Sequence, residues 1–220
     1  YAGGRYLEAR RSPAGPAGPL PEIVALDGLV VHSSAAPAGE FACSSDLINR
    51  IRQLVRWAQR SNMVSLLTDC PHREKLGWLE QYHLNGPALR YEFDLARLFT
   101  KGMRDMADAQ LPDGLVPNIA PEYTVFEQPF RASAEWGSAF IIVPWQQYLF
   151  TGDAALLRRY YPAMKRYFAY LESRAQDDVV SEGLGDWFDL GPLKPGHAQL
   201  TPPAITATAF YYHDARILAQ

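Results

Sequence analysis

The sequence predicts an all-α protein, arranged as a toroid of helical hairpins and preceded by a short β region. Apolar residues recur at helical spacing in most segments from residue 44 to the end of the chain. The loops between these segments are rich in Gly, Pro and acidic residues, and no short sequence repeat indicates a solenoid. Because the long loops of a toroid converge on one rim, they can build a cleft there.

The composition is that of an ordinary globular protein. The chain has 220 residues, of which 48% are hydrophobic and 20% charged, and its net charge is −3. Neither the mild acidity nor any basic stretch indicates a nucleic-acid partner, and no apolar run approaches the roughly 20 residues that span a bilayer. Cys43 and Cys70 are too few for a disulfide framework, and no Cys/His spacing resembles a zinc site. We therefore expect no metal or cofactor, while the compartment stays undetermined.

Residues 1–40 differ from the rest of the chain. Short β-leaning runs occupy 5–9, 22–26 and 29–32, and a Pro/Gly loop lies at 12–19. These runs predict the last strands of a β domain and a linker, followed by a helical domain at 41–220. The chain begins with Tyr and stops inside a helical pattern, so we expect an internal piece of a longer protein.

The first two predicted helices flank a loop dense in polar residues. Ser44 or Ser45 can cap the first helix, and Asp46 lies in its first turn. A second helix is predicted over 87–110, and it ends before the turn sequence at 111–114.

The later helices are punctuated by prolines. A third helix is predicted over 133–150 and is apolar on almost every side, which indicates burial, while Pro144 should kink or divide it. The pair 152–153 caps the next helix, and Pro162 suits the first residue of yet another. A last helix is predicted from about Ala204.

The loop at 68–78 carries the densest chemistry and reads TDCPHREKLGW. Hydrolysis of a glycoside needs a protonated carboxylic acid and a second carboxylate. An apolar wall raises the pKa of a carboxyl group, whereas a neighbouring Arg lowers it. The carboxyl beside Trp78 is thus the better acid, and the one paired with Arg73 is the better sugar ligand. Spacing does not tell which of Asp69 and Glu74 is which, and Arg73 could instead brace the loop through a salt bridge.

The motif at 69–78 resembles the Asp-Cys-Pro-Gln-Arg-(Asp)-Glu-Arg-Leu-Gly-Trp signature of bacterial α-L-rhamnosidases, glycoside hydrolase family 78. The start of the chain, 1–6, also resembles the end of the β-sandwich that precedes the family's catalytic domain. Further segments occur in the family's order, at 39–44, 47–49, 114–117, 135–139, 152–153 and 185–187. The resemblance therefore extends over nearly the whole chain.

This resemblance implies an (α/α)6 six-hairpin toroid, here a truncated N-terminal part at 41–220 after a β-sandwich end at 1–40. It implies a glycosidase that releases terminal α-L-rhamnose with inversion. Register on the Leu-Gly-Trp element gives Glu74 the role of general acid. Asp69 then holds sugar hydroxyls, and Arg73 belongs to the same pocket. The aromatic positions that wall the rhamnose match Trp78, Trp136 and Trp187, although core packing is the alternative for each.

The sequence departs from the family's pattern at the pocket. The motif is one residue shorter between its Arg and its Glu. The family's Thr-Gly-Asp after Trp78 is replaced by Leu-Glu-Gln, so a sugar-binding acid is lost or displaced to Glu80. A Trp-Gly-Asp element likewise reads Trp-Gly-Ser at 136–138.

The catalytic base of the family is a Glu from a later loop, which we expect beyond Gln220, so the piece alone should be inactive. Glu135 is the local substitute. An inverting pair is separated by about 6.5–9.5 Å, so the base should come from across the toroid. Contacts with the sugar are further expected from Glu80, Glu135, Trp136, Asp186 and Trp187.

Two other functions remain open from the sequence. A polysaccharide lyase acting on a rhamnose- and uronate-containing glycan could share the toroid, with its chemistry carried by His72, Arg73, Tyr82 or His83. A non-catalytic carbohydrate-binding module would use the aromatic rings alone. All three functions predict a carbohydrate ligand, a rhamnoside in the first, and neither nucleic acid nor membrane.

Overall fold

The computed structural model describes residues 6–15 and 18–220, and within them the protein is helical with one short hairpin. The helices are α1 (Asp46–Ser61), α2 (Glu80–Leu84), α3 (Gly86–Glu92), α4 (Ala96–Ala109), α5 (Ala134–Gly137), α6 (Ala139–Thr151), α7 (Ala155–Arg174) and α8 (Pro203–Leu218). The antiparallel strands are β1 (Met63–Val64) and β2 (Leu66–Leu67). Among these described helices, none combines the length and apolarity that crossing a membrane requires.

Helix α6 forms the centre of the core. It packs against α2, α4, α7 and α8, and Phe140, Ile141 and Val143 have no exposed surface. The predicted burial of this segment is confirmed. The predicted helix is divided at Ser138, whereas α6 itself runs unbroken through Pro144. Since tertiary packing supplies most of a helix's stability, burial on every side compensates for the hydrogen bond that Pro144 removes.

The prediction of a single helix over 87–110 is wrong. The chain breaks between α3 and α4 because Phe93 is extended, with φ −140° and ψ 146°, and forms an antiparallel bridge with Pro37. The Asp94 carboxylate then accepts the backbone N–H of Ala96 at 3.1 Å and begins α4. The break depends on a partner some 50 residues away in sequence, which helical periodicity does not report.

The prediction that a new helix begins at Pro162 is also wrong, because Pro162 lies inside the 20-residue helix α7. Its ring is exposed, so solvent can satisfy the carbonyl group that loses its helical partner.

The first predicted helix is confirmed as α1, with Ser45 at its N-cap, and the last as α8, which begins at Pro203.

The β-leaning runs before α1 form no strand in residues 6–15 and 18–36. A strand needs a partner for its N–H and C=O groups, and the runs at 6–9, 22–26 and 29–32 form no backbone hydrogen bond with the described chain. Apolar side chains such as Val24 and Leu29 are 91% and 86% exposed. Residues 1–5, where the first run begins, lie outside the described residues, and the assignment of 1–40 to a β-sandwich stays a prediction.

Candidate active site

The motif loop leaves β2 and is fixed at its far end by a backbone pairing. Trp78 forms an antiparallel bridge with Ile119, and the N–H of Leu79 donates to the carbonyl of Asn118 at 2.9 Å. The N–H of Ala120 donates to the carbonyl of Gly77 at 3.1 Å. The Leu-Gly-Trp element is therefore held against the loop that follows α4, and this contact sets the position of Trp78.

A cavity of about 230 Å³ opens beside this pairing, a size suited to one sugar ring. It is lined by Asp69, Glu74, Trp78, Glu80, Phe130, Trp136, Leu184 and Trp187. Six of these eight residues are sequence-predicted site residues. Phe130 and Leu184 were missed, since they arrive on loops that carry no catalytic pattern. The aromatic run around Phe126 and Phe130 is the signal that could have indicated the first of them.

Aromatic rings form most of the cavity wall. Trp78 stacks on Phe126, with ring centroids 5.3 Å apart, and meets Trp136 edge-on at 6.5 Å. Trp187 contacts Phe130 edge-on at 5.3 Å. The three Trp side chains also belong to or pack against the core. Core packing and a place in the cavity wall therefore coexist in these residues.

Glu74 is the carboxyl group that contacts Trp78, while its role as the acid stays a prediction. Its Oε2 accepts the indole N–H of Trp78 at 2.8 Å, and its backbone N–H donates to the Cys70 thiol at 3.1 Å. Arg73 is exposed and does not line the cavity. Within the described residues, Arg73 forms no salt bridge with Asp69 or Glu74, so the bracing hypothesis is wrong.

Asp69 and Glu80 bring buried, unpaired oxygens to the site. Asp69 Oδ1 and Glu80 Oε2 are both inaccessible to solvent and have no hydrogen-bond partner in the described chain. Glu80 Oε1 accepts one bond from Gln81 Nε2 at 2.7 Å. Burial raises the pKa of Glu80 to about 7, and the nearby carboxylates of Asp69 and Glu74 contribute in the same direction. Buried polar atoms normally have partners, so each of these oxygens lacks a bond that such an atom usually makes.

Besides Arg73, two predicted ligand residues lie outside the cavity wall. Glu135 is buried, its Oε1 accepts the hydroxyl of Thr206 at 2.7 Å, and its carbonyl oxygen lies 2.8 Å from Nε2 of His83. Burial raises the pKa of this carboxyl group as well. Asp186 is exposed and does not line the cavity. The structure therefore does not bring Glu135 or Asp186 together with the other six.

Ser138, which stands where the resemblance expects an acid, faces the core. It is fully buried, and its hydroxyl donates to Oδ2 of Asp214 on α8 at 2.6 Å. Burial holds the pKa of Asp214 well above its usual range. Position 138 thus links the start of α6 to α8 and contributes no group to the cavity.

We expect Gly77→Ala to lower the free energy of unfolding by about 1–3 kcal/mol, the usual cost of overpacking. A Cβ on Gly77 would lie 2.7 Å from the carbonyl oxygen of Ala120, which is backbone and part of the pairing that fixes Trp78. Urea unfolding measures the loss. Gly28→Ala is the matched control, since a Cβ there meets nothing within 4 Å. Equal stability of the two variants would contradict the predicted clash.

The comparisons with known proteins agree on one family. Residues 36–220 match the model described as bacterial alpha-L-rhamnosidase 6 hairpin glycosidase domain. An alpha-L-rhamnosidase of Streptomyces avermitilis is 31% identical over 223 aligned positions, which cover 100% of this chain and 20% of that protein. One from Formosa agariphila is 30% identical over 202 positions, covering 87% of this chain and 21% of the relative. The chain therefore spans about a fifth of the length of these curated relatives.

Solved structures give the same result. The alpha-L-rhamnosidase from Dictyoglumus thermophilum aligns with a TM-score of 0.80 at 31% identity, over 91% of this chain and 22% of that one. The Streptomyces avermitilis alpha-L-rhamnosidase complexed with L-rhamnose aligns with a TM-score of 0.76 at 32% identity, over 86% and 18% of the two chains. The predicted all-α, six-hairpin fold class is confirmed by these similarities.

Proposed function

The chain belongs to the bacterial α-L-rhamnosidase six-hairpin glycosidase domain family, and on that premise we propose that it supplies the general acid and the sugar-binding wall of an inverting α-L-rhamnosidase. The observation that carries this proposal is the monosaccharide-sized cavity with aromatic walls and three carboxyl groups. The products would be L-rhamnose and the freed aglycone.

Glu74 is the general acid in this proposal, and it protonates the departing glycosidic oxygen. It lies at the accessible side of the cavity, where a leaving group would emerge, and the bond from Trp78 Nε1 fixes its carboxyl group in place. The water-activating carboxylate must lie on the opposite face of the sugar. That it follows Gln220 stays a prediction from the sequence.

The remaining groups of the cavity bind the sugar. The carboxyl groups of Asp69 and Glu80 take hydroxyl groups, and the rings of Trp78, Trp136 and Trp187 cover the C–H faces. Rhamnose is a 6-deoxy sugar, so its methyl group requires an apolar neighbour rather than a hydrogen-bond partner. Roles for Arg73, Asp186 and Glu135 remain proposals without a cavity contact to support them. The contacts of Glu135 are instead with Thr206 on α8 and His83 on α2.

The lyase alternative is disfavoured by charge. A uronate needs a cation to neutralise its carboxylate, and the eight lining residues include no Lys, Arg or His. The candidates for lyase chemistry lie elsewhere, since His72 and Arg73 are exposed while Tyr82 and His83 are buried. Burial also lowers the pKa of His83 to about 4, which makes it a weak base. Three carboxyl groups favour a neutral sugar.

The proposal is tested by the products of the complete protein that contains these residues. Hydrolysis of an aryl α-L-rhamnoside, followed by proton NMR, should give β-L-rhamnose as the first anomer. Release of an unsaturated uronate from an acidic glycan, detected by its ultraviolet absorbance, would instead establish the lyase. Turnover of neither substrate, with L-rhamnose still bound, would support the binding module.

We expect Asp69→Asn to weaken L-rhamnose binding by a factor of about 10–100, because hydrogen bonds to charged groups contribute about 1.5–3 kcal/mol. The substitution keeps the shape of the side chain but exchanges one acceptor for a donor. Isothermal titration calorimetry measures the change. Asp108→Asn, on an exposed residue of α4 outside the cavity, is the control. Equal losses in both variants would contradict the placement of the sugar next to Asp69.

A further inference from the structure

The ionisable residues that line the cavity are all carboxylic acids. Asp69, Glu74 and Glu80 all line it, and no lining residue is a cation. Arg73, the basic residue next to Glu74, is exposed and makes no salt bridge with either Asp69 or Glu74. The three carboxyls are not arranged to hold a metal ion either, as far as the described residues extend. Like charges that share a partly dry space oppose full ionisation, so one of the three should keep its proton.

Glu80 is the carboxyl group best suited to keep that proton. An ionised carboxylate can accept about four hydrogen bonds, and a protonated one has a donor of its own. Glu80 receives a single bond, from Gln81 Nε2 to Oε1, whereas its buried Oε2 has no partner in the described chain. Glu74, by contrast, is exposed and accepts the indole N–H of Trp78. The side chain of Gln81 is itself held by Asn85, whose Nδ2 donates to it.

The titratable groups that face Glu80 all act in one direction. They are Asp69 and Glu74, both from the motif loop, and each disfavours a negative charge on Glu80. Burial is the larger effect, and together they raise the pKa of Glu80 to about 7. The group therefore carries a proton below neutral pH and loses it to solvent as the pH rises through 7.

We propose that Glu80 binds the sugar as a neutral acid, donating the hydrogen of its carboxyl group to a sugar oxygen, and that ligand binding is lost when this proton leaves. The proposal rests on the proposed function, because it assumes a neutral sugar in the cavity. It makes ligand binding at that site depend on pH, and it requires a ligand with a hydrogen-bond acceptor opposite Glu80. Ionised Glu80 leaves the sugar oxygen facing an acceptor and brings a third negative charge into the cavity.

Calorimetric titration of the complete protein with L-rhamnose between pH 5.5 and 9 tests the proposal. The dissociation constant should be constant at low pH and rise about tenfold for each pH unit well above 7, since only the protonated form binds. Glu80→Gln, which keeps a permanent donor, should bind with an affinity that no longer depends on pH. Glu172→Gln, on an exposed residue of α7, should keep the wild-type pH profile of binding. Glu74→Gln should keep a pH-dependent affinity whose midpoint lies at lower pH, because Glu74 contributes to the raised pKa of Glu80. A flat wild-type profile, or an unchanged profile in Glu80→Gln, would overturn the proposal.

The proton can also be observed without any catalysis. In carbon-13 NMR of protein labelled at glutamate, the Glu80 signal is identified by its absence from Glu80→Gln. Its chemical shift should titrate near the pKa of about 7. Addition of L-rhamnose should raise this pKa. A Glu80 signal that titrates below pH 5 would refute the neutral acid even if rhamnosides are hydrolysed. Failure to hydrolyse any rhamnoside, with the Glu80-linked binding intact, would count against the proposed function alone.

Discussion

Glu74→Gln should lower kcat for an α-L-rhamnoside by a factor of about 10²–10⁴, the usual contribution of a general acid. Gln has the size of Glu and still accepts the indole N–H of Trp78 through its amide oxygen, so the geometry of the loop is kept. The variant cannot protonate the leaving oxygen. Steady-state kinetics of the complete protein measure kcat and KM separately, and KM should change little because the lost interaction belongs to the transition state.

The leaving group supplies an internal check on this expectation. A nitrophenolate departs without a proton, whereas a sugar alkoxide requires one, so Glu74→Gln should damage hydrolysis of a disaccharide far more than hydrolysis of the nitrophenyl glycoside. Glu172→Gln, on the exposed side of α7, is the matched control and should behave as wild type. Equal loss on both substrates, or a rise in KM alone, would show that Glu74 is a binding residue.

Phe140→Ala should lower the free energy of unfolding by about 3–5 kcal/mol, the range found for Phe in a core. Phe140 is fully buried in α6, the helix on which α2, α4, α7 and α8 all pack. The centroid of its ring lies 6.0 Å from that of the Tyr160 ring. The surrounding helices cannot all move inward to fill the space. Denaturant unfolding followed by circular dichroism measures the loss.

The control for this substitution is Phe41→Ala, which truncates a Phe that is 52% exposed before α1. Surface substitutions of this kind usually change stability by less than about 0.5 kcal/mol. If Phe140→Ala were as stable as Phe41→Ala, α6 would not be the centre of the core. If the slope of the free energy of unfolding against urea concentration is unchanged in both variants, only stability differs between them.

Helices were predictable from the sequence where local pattern decides the structure. Periodicity and caps located the starts of α1 and α8 within a residue or two. The errors lie where a distant or an environmental effect decides. Phe93 leaves the helix because Pro37 pairs with it, and Pro162 stays in one because its ring is exposed.

The site follows the same division. The motif loop predicted Asp69, Glu74 and Trp78 because the acid, its partner and the aromatic wall lie within ten residues of one another. Glu135 and Asp186 were predicted from their neighbours, Trp136 and Trp187, but adjacent side chains point in different directions. Glu135 therefore reaches Thr206 on α8 while Trp136 reaches the cavity.

The wall of the cavity is assembled from parts of the chain that are far apart, from Asp69 to Trp187. Because the wall needs residues from both ends of this range, no short segment can create this cavity, and its assembly costs the entropy of closing long loops. Three indole rings meet there, at positions 78, 136 and 187. Intrinsic fluorescence should consequently report complete assembly of the domain, and a change in emission on adding a sugar would follow occupancy of the cavity without any label.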